Sequence, residues 1–296
     1  MPIFTGVGTA IVTPFDAKGN MNFDMLETLV RYQIDNGADA IVACGTTGEV
    51  STLDNDEHVE VARATVAAVK KAGRKIPVIS GAGGNDTRNI LLLGNRLKQA
   101  GVDALMLTTP YYNKTSQRGL VEHFSIIAAA IDLPFILYNV PTRTSLNMSA
   151  KTTFELSKIE NIAAIKEASG NIVQIAEIAE LCGDNLDIYA GNDDYIVPVL
   201  SLGGKGVIST TGNIIPKQMH DMIMKYLEGD VKGSAKMQLD MLALVRAMFS
   251  DINPMPVKAA LGLMGFDVGA CRRPLTALDP ENMTQIEQVM KDYGLI

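Results

Sequence analysis

Apolar runs alternate with amphipathic stretches from the first residues to about position 210. The runs fall at Gly8–Val12, Ala40–Cys44, Pro77–Gly81, Ala104–Thr108, Pro134–Tyr138, Ile162–Lys166, Asp187–Ala190 and Gly206–Ser209. Each is almost continuously apolar, the pattern of parallel strands covered on both faces. Between them the period lengthens to that of a helix. One helix is predicted to open at Asp54, with Glu57 three residues on completing a capping box. It places Val59, Ala62, Val66 and Val69 on one face and stops at Gly73. Another opens near Ser116 and turns Leu120, Phe124, Ile127 and Ile131 inward. Further helices are expected over 22–36, 86–100, 149–158, 170–182, 193–202 and 216–229.

Eight strand–helix units of this length predict an α/β fold, a (β/α)8 TIM barrel. An internal echo agrees: Asn36-Gly-Ala-Asp-Ala-Ile41 returns two unit lengths later as Ala100-Gly-Val-Asp-Ala-Leu105. In both, a glycine after a helix leads into a strand. A doubly wound open sheet is the alternative, because counting strands does not prove closure. The barrel is assigned to residues 1–229 and a small C-terminal helical extension to 230–296. In that extension three helices are expected, at Ser234–Phe249, Pro254–Gly265 and Pro280–Tyr293. Met237, Met241, Leu244, Val245 and Met248 recur at helical spacing in the first, a stripe read as core packing.

Composition narrows the function. Hydrophobic residues make up 47% and charged residues 20% of the 296, an ordinary globular balance. A net charge of −7 offers no basic face for nucleic acid. The most apolar region, Ser125 to Tyr138, is cut by Asp132 and Pro134, so no membrane span is expected. The opening Met1-Pro-Ile-Phe-Thr5 lacks the basic and apolar segments of a secretion signal. Cys44, Cys182 and Cys271 are widely spaced and odd in number, which reads as reduced thiols in a cytoplasmic protein.

Chemistry in such a barrel gathers where strands end. Strand two ends in Gly45-Thr46-Thr47-Gly48-Glu49 and strand four in Thr108-Thr109-Pro110-Tyr111-Tyr112. Strand five ends in Tyr138-Asn139-Val140-Pro141-Thr142-Arg143, strand six in Lys166-Glu167 and strand seven in Gly191-Asn192-Asp193. Lys166 follows Ile162-Ala-Ala-Ile165, apolar walls that favour the neutral amine, the form that attacks a carbonyl. A lysine that reaches out to solvent or pairs with a carboxylate is the plainer reading. Tyr138 would stand one strand away with a phenol suited to proton transfer, or simply as a buried tyrosine. Thr46 and Thr47 offer hydroxyls and N–H groups to a carboxylate, or form an ordinary turn. Arg143 has the fork to clamp a second carboxylate, although a loop arginine usually faces water. Gly81-Ala-Gly-Gly-Asn85 lacks the third glycine of a dinucleotide fingerprint. His58, His123 and His220 all fall in helical segments, which argues against a zinc-dependent aldolase.

Taken together, Gly45-Thr-Thr-Gly-Glu49, Tyr138-Asn-Val-Pro-Thr-Arg-Thr144 and Ala164-Ile-Lys-Glu-Ala168 resemble the N-acetylneuraminate lyase family of Schiff-base aldolases, in its dihydrodipicolinate synthase branch. The resemblance runs over essentially the whole chain. It implies that pyruvate forms an imine with Lys166, becomes an enamine and attacks L-aspartate 4-semialdehyde. Thr46, Tyr138 and Tyr112 would relay protons, Tyr112 reaching in from a neighbouring subunit. Thr47 and Ile208 would hold pyruvate, Gly191 would line the pocket and Arg143 would receive the semialdehyde carboxylate. It further implies no metal or organic cofactor, and a homo-oligomer that is a dimer or a dimer of dimers.

Lysine-inhibited members of this branch bind lysine at the dimer interface. The corresponding positions here are Val50, Ser51, Asn55, His58, Asn85, Asn89 and Tyr111. His58, Asn85 and Tyr111 match, whereas Asn89 stands where the family has a glutamate and Asn55 where a histidine is common. The resemblance therefore implies a degraded site and weak lysine inhibition. Within the enzyme class the rival is a pyruvate-releasing sugar-acid aldolase, and outside it a non-catalytic barrel.

Overall fold

The computed structural model describes all residues, Met1–Ile296. Eight parallel strands close into a barrel in sequence order: β1 Gly6–Ala10, β2 Ala40–Ala43, β3 Val78–Gly81, β4 Ala104–Thr108, β5 Phe135–Asn139, β6 Ile162–Glu167, β7 Asp187–Ala190 and β8 Gly206–Ser209. Pairing of β1 with β8, Val7 opposite Val207 and Thr9 opposite Ser209, closes the ring and rules out the open sheet.

Around it run α1 Phe23–Asp35, α2 Asn55–Lys71, α3 Thr87–Ala100, α4 Gln117–Ala130, α5 Pro141–Thr144, α6 Ala150–Leu156, α7 Ile172–Cys182, α8 Ile196–Ser201 and α9 Pro216–Leu227. The capping box of α2 is formed: Asp54 accepts from the N–H groups of Asp56 and Glu57, and Glu57 Oε2 accepts from Asp54 N–H. Gly37 and Gly101 follow their helices at φ +84° and +91°, the left-handed stop that the repeated motif implied.

Alternating side chains divide the interior. Those pointing into the barrel, including Ala40, Val42, Ile79, Met106, Ile136, Ala164, Tyr189 and Ile208, form a central apolar column. Phe4 plugs its lower end, stacked on Tyr189 at 4.3 Å between ring centres, and its C=O accepts from Tyr189 Oη at 2.6 Å. The opposite faces of the strands pack against the helices in a larger core. The lower end is thus sealed, which leaves the carboxyl ends of the strands as the mouth.

Four expectations are corrected. β1 begins and ends two residues early: Ile11 N–H still donates to Val42 C=O, but Val12 N–H turns to the Asn213 side chain and the ladder stops. The segment after β7 starts as a 3-10 turn, Asp193–Tyr195, before α8. Pro141–Thr144 coils into a short helix where a loop was expected. Ser234–Phe249 is not one helix but two, α10 Val231–Asp240 and α11 Leu242–Met248. The bend at Met241 lets α10 pack on α9 while α11 turns toward the last helix, Pro280–Tyr293. The methionine stripe does face the core, with Met241, Leu244, Val245 and Met248 buried. α12 Met255–Leu263 and α13 Pro280–Tyr293 complete the chain. No helix is long and apolar enough to cross a membrane.

Candidate active site

Lys166 lies one residue from the end of β6 and points into the barrel, as the alternation from Ala164 requires. Its register partner on β5 is Tyr138 and on β7 Tyr189. Lys166 Nζ stands 4.4 Å from the centre of the Tyr138 ring, and both residues are 5% exposed. The lysine therefore neither reaches into solvent nor makes a salt bridge.

The next residues of the same two strands, Asn139 and Glu167, are also register partners but point the other way. Glu167 is fully buried and accepts from Asn139 Nδ2 at 3.0 Å, Ser169 N–H at 2.7 Å and Gln174 Nε2 at 3.3 Å. Burial pushes its carboxyl above the usual range. This outer network ties the tops of β5 and β6 together behind the reactive pair.

Thr47 is buried within the loop after β2. Its Oγ1 lies 3.2 Å from Thr210 Oγ1 and accepts from Asn253 Nδ2 at 3.0 Å. Thr46 is partly exposed beside it. Gly191 follows β7 and donates its N–H to Glu167 C=O at 2.8 Å; a Cβ there would come within 2.6 Å of the Ala168 methyl. Only glycine lets the two strand ends approach so closely. Ile208 lines the barrel from β8. Arg143, exposed on α5, donates to Asn253 C=O at 3.5 Å. Lys166, Tyr138, Thr47, Gly191 and Ile208 thus all stand on the barrel's inner or upper wall. Tyr112 does not: it is 93% exposed at φ +68°, clear of the buried cluster of its own chain.

Asp193 was placed at the end of strand seven but given no role, and Thr210 and Asn253 escaped the sequence reading altogether. The buried carboxylate of Asp193 accepts from Thr211 N–H at 2.8 Å. Burial raises its pKa, against hydrogen bonds from Thr211 and Ser209 and, least of these, the nearby Lys166. Its position right after β7 was a usable signal. Asn253 had none, since it comes from the helical extension.

Of the residues matched to a lysine site, Asn55 and Asn89 are exposed and bonded to each other, Asn55 Nδ2 donating to Asn89 Oδ1 at 3.0 Å. Asn85 donates to Tyr111 C=O at 3.3 Å, and Val50 and Ser51 lie in a short 3-10 turn. His58 is 3% exposed, its Nε2 lies 2.7 Å from Gly81 C=O, and burial pushes its pKa down to about 4. It braces β3 from α2.

The chain matches the dihydrodipicolinate synthetase family over residues 3–293. It is 50% identical over 295 residues to the 4-hydroxy-tetrahydrodipicolinate synthase of Acetivibrio thermocellus, covering 100% of this chain and 99% of that protein. The 4-hydroxy-tetrahydrodipicolinate synthase of Lachnoclostridium phytofermentans is 51% identical over 297 residues, with 100% of both covered. Among solved structures, the lysine-bound enzyme of Cyanidioschyzon merolae superposes with a TM-score of 0.97 at 39% identity, over 100% of both chains. The chloride-inhibited dihydrodipicolinate synthase of Acinetobacter baumannii, complexed with pyruvate, gives 0.95 at 38% identity over 99% of both.

Proposed function

The chain belongs to the dihydrodipicolinate synthetase family, and from that premise we propose that it acts as a 4-hydroxy-tetrahydrodipicolinate synthase, condensing pyruvate with L-aspartate 4-semialdehyde through a Schiff base on Lys166. The observation that carries this reading is the buried Lys166 amine over the Tyr138 ring, at the open end of a barrel whose other end is sealed. Curated relatives near 50% identity carry that activity in their names.

The free amine of Lys166 attacks the keto carbon of pyruvate, and loss of water gives the imine. Thr47, its hydroxyl held by Asn253 and Thr210, meets the pyruvate carboxylate. Removal of a methyl proton then yields the enamine, with the imine nitrogen as electron sink, so the lysine does the work of a cofactor. The enamine carbon bonds to the aldehyde carbon of the semialdehyde, whose oxygen takes up a proton. The semialdehyde's own amine displaces Lys166 from the imine carbon and closes the ring, restoring the free lysine.

Tyr138, with Thr46, carries the protons in and out of these steps. Arg143 at the mouth receives the carboxylate of the semialdehyde, the feature that favours this substrate over a sugar acid. Tyr112 completes the relay in a second copy of the chain. Its exposure, with Tyr111 beside it at 42%, supports a dimer as the active unit. Such dimers pair into a tetramer in this reading, and the enzyme works in the cytoplasm.

The test is a coupled assay with pyruvate and L-aspartate 4-semialdehyde, run beside cleavage of N-acetylneuraminate and 2-keto-3-deoxygluconate. Turnover of the semialdehyde alone, abolished by Lys166→Ala, is expected. Cleavage of a sugar acid without semialdehyde turnover would keep the imine and overturn the substrate. Neither activity, with no borohydride-trapped pyruvate adduct, would leave a non-catalytic barrel.

A further inference from the structure

The turn that carries Thr46 and Thr47 ends on a buried ion pair with the helical extension. Glu49 closes this turn at φ +56°, a left-handed conformation unfavourable for a residue with a Cβ. Its side chain is 1% exposed. Oε1 accepts from Lys258 Nζ at 2.6 Å and Oε2 from the Arg272 backbone N–H at 2.8 Å. Lys258, itself 3% exposed, comes from α12, donates also to Ala270 C=O at 3.3 Å and lies 4.4 Å from the centre of the Phe15 ring. Arg272 covers the same ring at 4.5 Å and binds both oxygens of Glu57 at 2.6 Å.

These contacts reach the threonines through the backbone. Glu49 N–H donates to Thr46 C=O at 3.1 Å, Gly48 N–H to Gly45 C=O at 3.1 Å, and Thr13 Oγ1 to Gly48 C=O at 2.7 Å. At the other end of the turn, Thr47 is held by Asn253, five residues before Lys258 in the same extension. Residues 253–272 therefore grip the Thr46–Glu49 turn at both ends. Stability alone is a poor account of the ion pair, because replacing a pair this buried by apolar side chains of like volume is often neutral or better. What a charged, hydrogen-bonded anchor supplies is a single position for the backbone of Glu49.

We propose that Glu49, clamped by Lys258 and the Arg272 N–H, is a positioning residue that fixes Thr46 and Thr47 at the height at which pyruvate binds. Neither Glu49 nor Lys258 touches substrate. The inference rests on the functional reading above, in which Thr47 meets pyruvate and Lys166 bonds to it.

The experiment compares the wild-type enzyme with the double variant Glu49→Leu/Lys258→Met, which keeps the volume and removes the clamp. Active sites are counted as borohydride-trapped pyruvate adduct at saturating pyruvate, and rates are expressed per active site. The expected result is a KM for pyruvate raised about tenfold with kcat within about threefold, while the KM for the semialdehyde is held. Glu49→Gln, which keeps the side chain's shape and an acceptor, is measured in the same way, covers failure of the double variant to fold, and is expected to raise the pyruvate KM less. A wild-type KM for pyruvate in every variant that folds, or a loss confined to the number of active sites, would overturn the inference and leave a merely structural ion pair. A wild-type chain that forms no pyruvate adduct would instead overturn the functional reading on which the inference stands.

Discussion

Tyr138 and Lys166 are register partners on adjacent parallel strands, and their side chains meet inside the barrel with Nζ 4.4 Å from the ring centre. In a parallel pair, matched residues project to the same face. The ladder itself therefore sets the spacing between amine and phenol, and no flexible loop has to hold it. Tyr138→Phe keeps the ring against the lysine and removes only the hydroxyl. A fall in kcat of about 100-fold is expected, within the range for losing a proton-transfer group, with the thermal midpoint little changed. Steady-state kinetics beside calorimetry check it; near-wild-type kcat would remove Tyr138 from the relay.

Tyr112 is 93% exposed in the single chain. If it completes a neighbour's site, a chain carrying Lys166→Ala and a chain carrying Tyr112→Ala are each nearly inactive but mend one another. In a mixed dimer one site holds both intact residues, so an equal mixture refolded together recovers about a quarter of the wild-type rate. A mixture no more active than its parents would place Tyr112 in its own chain's site or outside catalysis.

His58 and His123 are buried, and burial pushes both pKa values down to about 4 from the ordinary 6.5. Between those values the unfolded chain binds protons that the folded chain refuses. Stability is therefore present in full above about pH 6.5 and lost as the pH falls toward 4. His220 acts in the opposite sense, its pKa raised by Asp39, so its contribution is lost as the pH rises. His58→Gln keeps a donor for Gly81 C=O and removes one titrating group. The drop in urea midpoint between pH 7 and pH 5 should shrink, by a few kcal/mol at most in unfolding free energy. An unchanged drop would show that His58 does not titrate in this window.

Asn55 and Asn89 satisfy each other with one hydrogen bond at the surface, and neither carries charge. Neither position offers a lysine ammonium a carboxylate, so inhibition by lysine is expected to be weak or absent. An inhibition constant in the low millimolar range or tighter would contradict this. Asn89→Glu restores a carboxylate, worth about 1.5–3 kcal/mol for a charged hydrogen bond. It should tighten lysine binding by about tenfold or more, measured by calorimetry.

How much of this was legible in advance follows from how far each feature reaches along the chain. The capping box of α2, the glycine stops at Gly37 and Gly101 and the apolar strands each depend on a few neighbouring residues. The pattern alone was enough for them. Lys166 could be placed at a strand end for the same reason, but a strand apolar on both faces does not say which one is inside, and its inward direction came only with the closed barrel. Closure of the ring depended on β1 meeting β8, and the break at Met241 on what each half of that segment packs against. Asn253 against Thr47 and Lys258 against Glu49 join residues more than 200 positions apart. His58, polar in a helical pattern, is buried only because β3 lies beneath it and offers the Gly81 carbonyl. Local backbone preference and side-chain direction are properties of short segments. Which distant polar groups meet, and which charges lose their water, is decided only when the segments pack.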